Sequence, residues 1–108
     1  MSFESQTMQQ KFPFPYDEVF DGICYVIPAL GFKLKSSDKV LGRISASTGI
    51  TLFSYGENLT ITVEKFDGGT LVGMESVLKF GLNFAGGHRH QENFNELIES
   101  LSKHLQST

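Results

Sequence analysis

The sequence predicts an α+β fold, a two-layer sandwich in which an antiparallel sheet of four to five strands carries two helices on one face. Three observations predict it. Strand-patterned sequence runs almost unbroken from Phe32 to Phe80, helix-patterned segments bracket it, and a short alternating stretch precedes the first helix. The implied order is β-α-β-β-β-β-α. The 108 residues form a single domain, spanning residues 1–108, long enough to bury one core without staples.

The first strand is read from Met8, Gln10 and Phe12 alternating with Thr7, Gln9 and Lys11, and it ends at Pro13. Pro15 and Tyr16 then lead into Asp17 and Glu18, two acids suited to the positive end of a helix dipole. Val19, Phe20, Ile23, Ile27 and Leu30 recur at helical spacing, and Gly31 supplies the stop. Pro28 removes one backbone donor and is expected to kink or tighten the last turn. Phe32 and Leu34 start the second strand, Ser36-Ser37-Asp38-Lys39 is expected to be a hairpin turn, and Val40 to Thr48 the returning strand. Ile44, Ala46 and Thr48 share one face of that strand, and Arg43, Ser45 and Ser47 the other. Leu59, Ile61 and Val63 give the clearest alternation, Asp67-Gly68-Gly69 a turn, and Val72, Met74, Ser76, Leu78 and Phe80 one face of the last strand. Phe94, Leu97, Ile98, Leu101 and Leu105 mark a C-terminal amphipathic helix.

Composition bounds the function. The net charge of −3 and pI near 5.5 argue against coating of DNA or of an anionic membrane. Cys24 is alone, so it has no partner for an internal disulfide, and Ile23 and Val26 beside it suggest a small buried apolar residue. Met1 to Gln10 shows neither the apolar nor the basic region of a leader, and no apolar stretch is long enough to span a bilayer; a cytoplasmic location is the expectation.

The segment Asp17 to Leu105 resembles a group of small bacterial domains with no assigned activity. The resemblance rests on a helix ending in Ala29-Leu30-Gly31-Phe32-Lys33, then Gly42-Arg43-Ile44-Ser45-Ala46-Ser47-Thr48, then Ser54-Tyr55-Gly56-Glu57, then a closing amphipathic helix. Its topology is similar to the TATA-box-binding-protein-like or helix-grip arrangement. The resemblance implies a fold and no catalytic residues.

Antiparallel pairing selects a place. A turn at Asp67-Gly68-Gly69 sets Phe80 beside Asn58, so the loops Gly49 to Glu57 and Gly81 to Arg89 fall at one sheet end, together with Gly31. Phe53, Tyr55, Glu57, Phe84, Gly86, Gly87, His88, Arg89 and His90 are the candidate ligand-binding residues there. Gly86-Gly87-His88-Arg89-His90 combines cationic side chains with the unpaired N–H groups of a helix start, a pattern suited to an anion; its bland alternative is a solvated loop. Phe53 and Phe84 either lid the open end of the layer or line an apolar pocket, as helix-grip folds often do. His88 and Glu92 offer two metal ligands at most, so no metal or other cofactor is expected. Glu57 with a histidine is the one pair suited to acid–base chemistry, and no triad or nucleotide fingerprint accompanies it.

The solvent face of the sheet carries Lys11, Lys33, Lys35, Arg43 and Lys79 among Ser, Thr and Glu, which is what an antiparallel sheet turns to water. Nucleic acid is disfavoured as a partner, and a homodimer through this face or through an edge strand is the alternative to a solvated face. The leading expectation is a non-enzymatic binding or protein-interaction domain. A binder of small apolar or anionic ligands comes second, and an enzyme with a Glu/His pair a distant third.

Overall fold

The computed structural model describes residues 5–48, 57–78 and 86–107. Strand β1 spans Ser5–Phe12, helix α1 Tyr16–Ala29, β2 Lys33–Asp38, β3 Arg43–Ser47, β4 Glu57–Phe66, β5 Gly69–Leu78 and helix α2 Gly86–Gln106. The predicted β-α-β-β-β-β-α order is the observed one. The strands form one antiparallel sheet in the order β1-β5-β4-β3-β2. The first strand therefore inserts beside the last, which leaves β1 and β2 as the two edges.

Both helices lie on one face because that face is where the strands place their apolar residues. Ile44, Ala46, Leu59, Ile61, Val63, Val72 and Met74 are buried and meet Val19, Phe20, Ile23, Val26 and Ile27 of α1 and Phe94, Leu97, Leu101 and Leu105 of α2. In the register Met8 lies opposite Met74, Met74 opposite Ile61 and Ile61 opposite Ile44, so one apolar row crosses four strands. The inward phenylalanines Phe12, Phe20 and Phe94 are buried, and Phe32 is partly so; Phe80 lies outside the described residues. The helices pass close because Gly22 faces the other helix: a Cβ there would stand 2.9 Å from Leu101 Cδ1 and 3.2 Å from His104 Cδ2. Beside that crossing Tyr25 stacks on His104, ring centroids 4.6 Å apart.

Helix α1 ends as its sequence predicts. Gly31 takes φ +87°, Gly31 N–H donates to Pro28 O at 3.0 Å, and Phe32 N–H donates to Ile27 O at 3.1 Å. This pair of bonds is a Schellman motif, and it caps carbonyls that the helix would leave open. Leu30 N–H also reaches Ile27 O at 3.2 Å, a 3₁₀-type bond that tightens the turn around Pro28.

Three features differ from expectation. The first hairpin turns at residues 39–42, not at Ser36 to Lys39, so Val40 and Leu41 are not strand. They are 94% and 73% exposed. Asp38 causes the shift: its Oδ1 accepts both Val40 N–H and Leu41 N–H at 3.0 Å, while Gly42 N–H donates to Asp38 O at 2.8 Å and Gly42 takes φ +72°. A bulge between Leu34 and Ser36 then absorbs the extra residue. Second, α2 takes in Gly86 to Arg89, which the sequence assigned to a loop. First-turn N–H groups have no intrahelical partner in any case, so Gly-Gly costs little ladder there. Third, Cys24 is half-buried rather than buried, and burial is the first cause of its thiol being pushed above the ordinary range.

Candidate functional site

The register gives the sheet two distinct ends. At one end Lys33 opens β2 opposite Ser47, Ser47 lies opposite Asn58, and Glu57 opens β4 opposite Leu78. The β3–β4 and β5–α2 connections both depart from this end, and the exit of α1 at Gly31 joins them. Of the candidate residues, Glu57 is the first residue of β4, and Gly86, Gly87, His88, Arg89 and His90 make up the first turn and a half of α2. Phe53, Tyr55 and Phe84 lie outside the described residues. His88 and Glu92 fall four apart within α2, one helical turn.

The opposite end gathers the β2–β3 turn, the β4–β5 turn and the start of α1. The Asp67-Gly68 turn sits there, with Phe66 opposite Gly69. A polar clamp holds the first hairpin onto α1. Tyr16 OH donates to Lys39 O at 2.7 Å, and Lys39 Nζ lies 3.1 Å from Asp21 Oδ1 and 3.8 Å from Asp17 Oδ1. Burial, then the Asp17 carboxylate, pushes the Tyr16 phenol above its ordinary range. The Asp21 hydrogen bond leads the causes that raise Lys39. A second tether crosses from β5, where buried Thr70 donates its hydroxyl to Phe14 O at 2.7 Å. On the solvent side Lys11 pairs with Asp67 at 2.9 Å and stands 5.5 Å from the centre of the Phe66 ring.

Between the hairpin tip and α1 runs an open groove of about 580 Å³ lined by Tyr16, Lys39, Val40, Leu41, Val63 and Lys65, among others. It is broad and shallow, and most of its polar groups are engaged with one another. Turn chemistry singled out Asp67-Gly68-Gly69 from the sequence, but not the Tyr16–Lys39–Asp21 clamp. The signal available for that clamp was Asp38 followed four residues later by Gly42, which fixes where Lys39 sits.

No protein-family model matches the chain, and no curated protein matches it. Solved structures do. Ara h 8.0201 matches over 96% of this chain and 98% of its own, with a TM-score of 0.71 and 9% identity. CalU16 from Micromonospora echinospora matches over 95% of this chain and 79% of its own, with a TM-score of 0.59 and 13% identity. TTHA0849 from Thermus thermophilus matches over 95% and 94%, with a TM-score of 0.56 and 14% identity. Nothing in these likenesses supports the TATA-box-binding-protein-like alternative. Among the described residues no helix is long and apolar enough to cross a membrane. What the neighbours share with this chain is the fold, an α+β architecture with an antiparallel sheet and helices packed on it.

Proposed function

We propose that this protein is a non-enzymatic binding domain that takes a small apolar or anionic ligand at the sheet end from which the β3–β4 and β5–α2 connections depart. One observation carries the reading: the strand register makes the β3–β4 and β5–α2 connections depart from the same sheet end. A rigid sheet that gathers loops at one end is a usual way to build a binding site. The chemistry of the residues supports it. By residue type Phe53, Tyr55 and Phe84 are aromatic and His88 and Arg89 basic, and the first turn of α2 has N–H groups with no intrahelical partner, a combination suited to an apolar or anionic ligand. The similarity to helix-grip folds, which often line an apolar pocket at this place, points the same way. The proposal includes a cytoplasmic setting, where a half-buried free thiol such as Cys24 stays reduced.

Thermal unfolding against two probe sets tests the reading, one of phosphorylated metabolites and one of long-chain fatty acids, alongside native mass spectrometry for retained ligand. A probe at a hundred times its Kd adds about 2.7 kcal/mol, a rise of roughly 10 °C or more in Tm. Replacing His88 and Arg89 by alanine is expected to abolish the response to phosphorylated probes and to spare that to apolar ones. A folded protein that retains nothing and responds to neither set would overturn the proposal.

A further inference from the structure

The two edges of the sheet are built differently. Edge strand β2 has six residues, all exposed, a bulge between Leu34 and Ser36, and lysines at 33 and 35. Short length, bulges and edge lysines are the devices by which proteins keep an edge from pairing with another chain. Edge strand β1 has neither the short length nor the bulge, and one lysine in place of two. It runs eight residues in unbroken register with β5, from Ser5 opposite Val77 to Phe12 opposite Thr70. Its sequence holds a single charge, Lys11, and that ammonium is engaged with Asp67 at 2.9 Å. Gln10 Nε2 folds back onto Lys11 O at 3.3 Å, so a side chain serves a carbonyl of this edge strand.

Helix α2 lies over β1 and β5, and its own surface repeats the pattern. Phe94, Leu97, Leu101 and Leu105 face the core. One flank meets α1, where His104 stacks on Tyr25 and Leu101 approaches Gly22. At 100° per residue the opposite flank, on the β1 side, is Asn95, Ile98, Ser102 and Gln106. None of these is charged. Glu92, Glu96, Glu99 and Lys103 are all turned outward.

From these two observations we infer that the β1 edge and the Asn95–Ile98–Ser102–Gln106 flank of α2 form a homodimer interface. Two copies pair β1 with β1 antiparallel about a two-fold axis, giving one continuous sheet with the two α2 flanks side by side. The occupant is a second copy because a two-fold sets like groups near one another, and the one charge on this strip, Lys11, is already paired with Asp67 and so adds little repulsion. The proposal does not depend on the ligand reading, since the strip lies along an edge and not at the loop end.

Sedimentation velocity and native mass spectrometry of the full chain test it. Wild type is expected to dimerise with a Kd of about 10 µM or tighter, given a small and largely polar interface. Gln10→Lys and Gln10→Glu should each weaken the dimer at least about tenfold by setting like charges near one another, and an equimolar mixture of the two should recover it as a heterodimer. Ser102→Lys should act as Gln10→Lys does, whereas Ser36→Lys on β2 should leave the dimer intact. Gln10 is exposed, so its variants are expected to unfold at the wild-type temperature at concentrations dilute enough for wild type to be monomeric. A wild type that stays monomeric at about 200 µM would overturn the inference, since the interface would then lie far below the usual affinity of specific dimers. So would a dimer indifferent to Gln10→Lys and Ser102→Lys, or one broken by Ser36→Lys.

Discussion

Gly42 and Gly31 provide a matched pair of perturbations. Both have positive φ, +72° and +87°, so an alanine at either meets the left-handed penalty of about 1–2 kcal/mol. Their surroundings differ. A Cβ at Gly31 has nothing within 4 Å, whereas a Cβ at Gly42 runs into the carbonyl oxygen of Val63 and comes to 3.0 Å from the Tyr16 hydroxyl. Val63 is backbone of the central strand β4 and cannot swing aside. The hairpin tip must move instead, which breaks the 2.8 Å bond from Val63 N–H to Gly42 O and disturbs the 2.7 Å bond from Tyr16 OH to Lys39 O. At about 1 kcal/mol for each bond, Gly42→Ala should cost roughly 3–4 kcal/mol against about 1–2 for Gly31→Ala. At about 4–8 °C per kcal/mol for a domain near this size, Tm should fall by roughly 12–32 °C and 4–16 °C respectively. Urea unfolding followed by far-UV circular dichroism measures both, and Tyr16→Phe should add little in the Gly42→Ala background because its bond is already strained. Equal costs for the two alanines would refute the reasoning, since they would show that the crowding at Val63 carries no energy.

The remaining predictions concern charge and access. Folded Tyr16 and Lys39 both have raised pKa values, so the stability each contributes is fully present below about pH 10 and is lost as pH rises through the raised value; stability measured from pH 8 to 11 should fall more steeply in wild type than in Tyr16→Phe. Asp67 is held below the ordinary carboxylate range, chiefly by its hydrogen bond from Lys11, so its contribution is present above about pH 4 and is lost as pH falls through the lowered value. The acid limb of the stability profile should accordingly be shallower in Asp67→Asn. Cys24, raised first by burial, should react with a thiol-specific disulfide reagent at neutral pH well below the rate of a free thiol, and urea should restore that rate.

Local chemistry announced some features directly. Gly31 with its Schellman bonds, Pro13 closing β1 and the Asp67-Gly68 turn are all decided by residues within one turn of themselves. The first hairpin was misplaced because Ser36-Ser37-Asp38-Lys39 and Asp38 to Gly42 both satisfy turn chemistry. The choice fell to Gly42, whose positive φ and bond to Val63 N–H come from a strand 21 residues further along. Of the candidate site, the shared sheet end of its connections was legible, because alternation and turn positions propagate through an antiparallel ladder. The clamp of Tyr16 and Lys39 was not, since it joins a helix start to a turn through side chains with no periodicity.

The sequence by itself determined the element order, the buried apolar positions of β3 and β4 and the two connections that share an end, because side-chain period and turn residues are local properties that must agree with the core. Only the tertiary structure decided the position of β1. Nothing local says that an N-terminal strand pairs with the last one, and the order β1-β5-β4-β3-β2 follows from closing one apolar layer under two helices. That choice makes β1 an edge, and the contrast between its plain edge and the guarded edge of β2 exists only once the sheet is assembled.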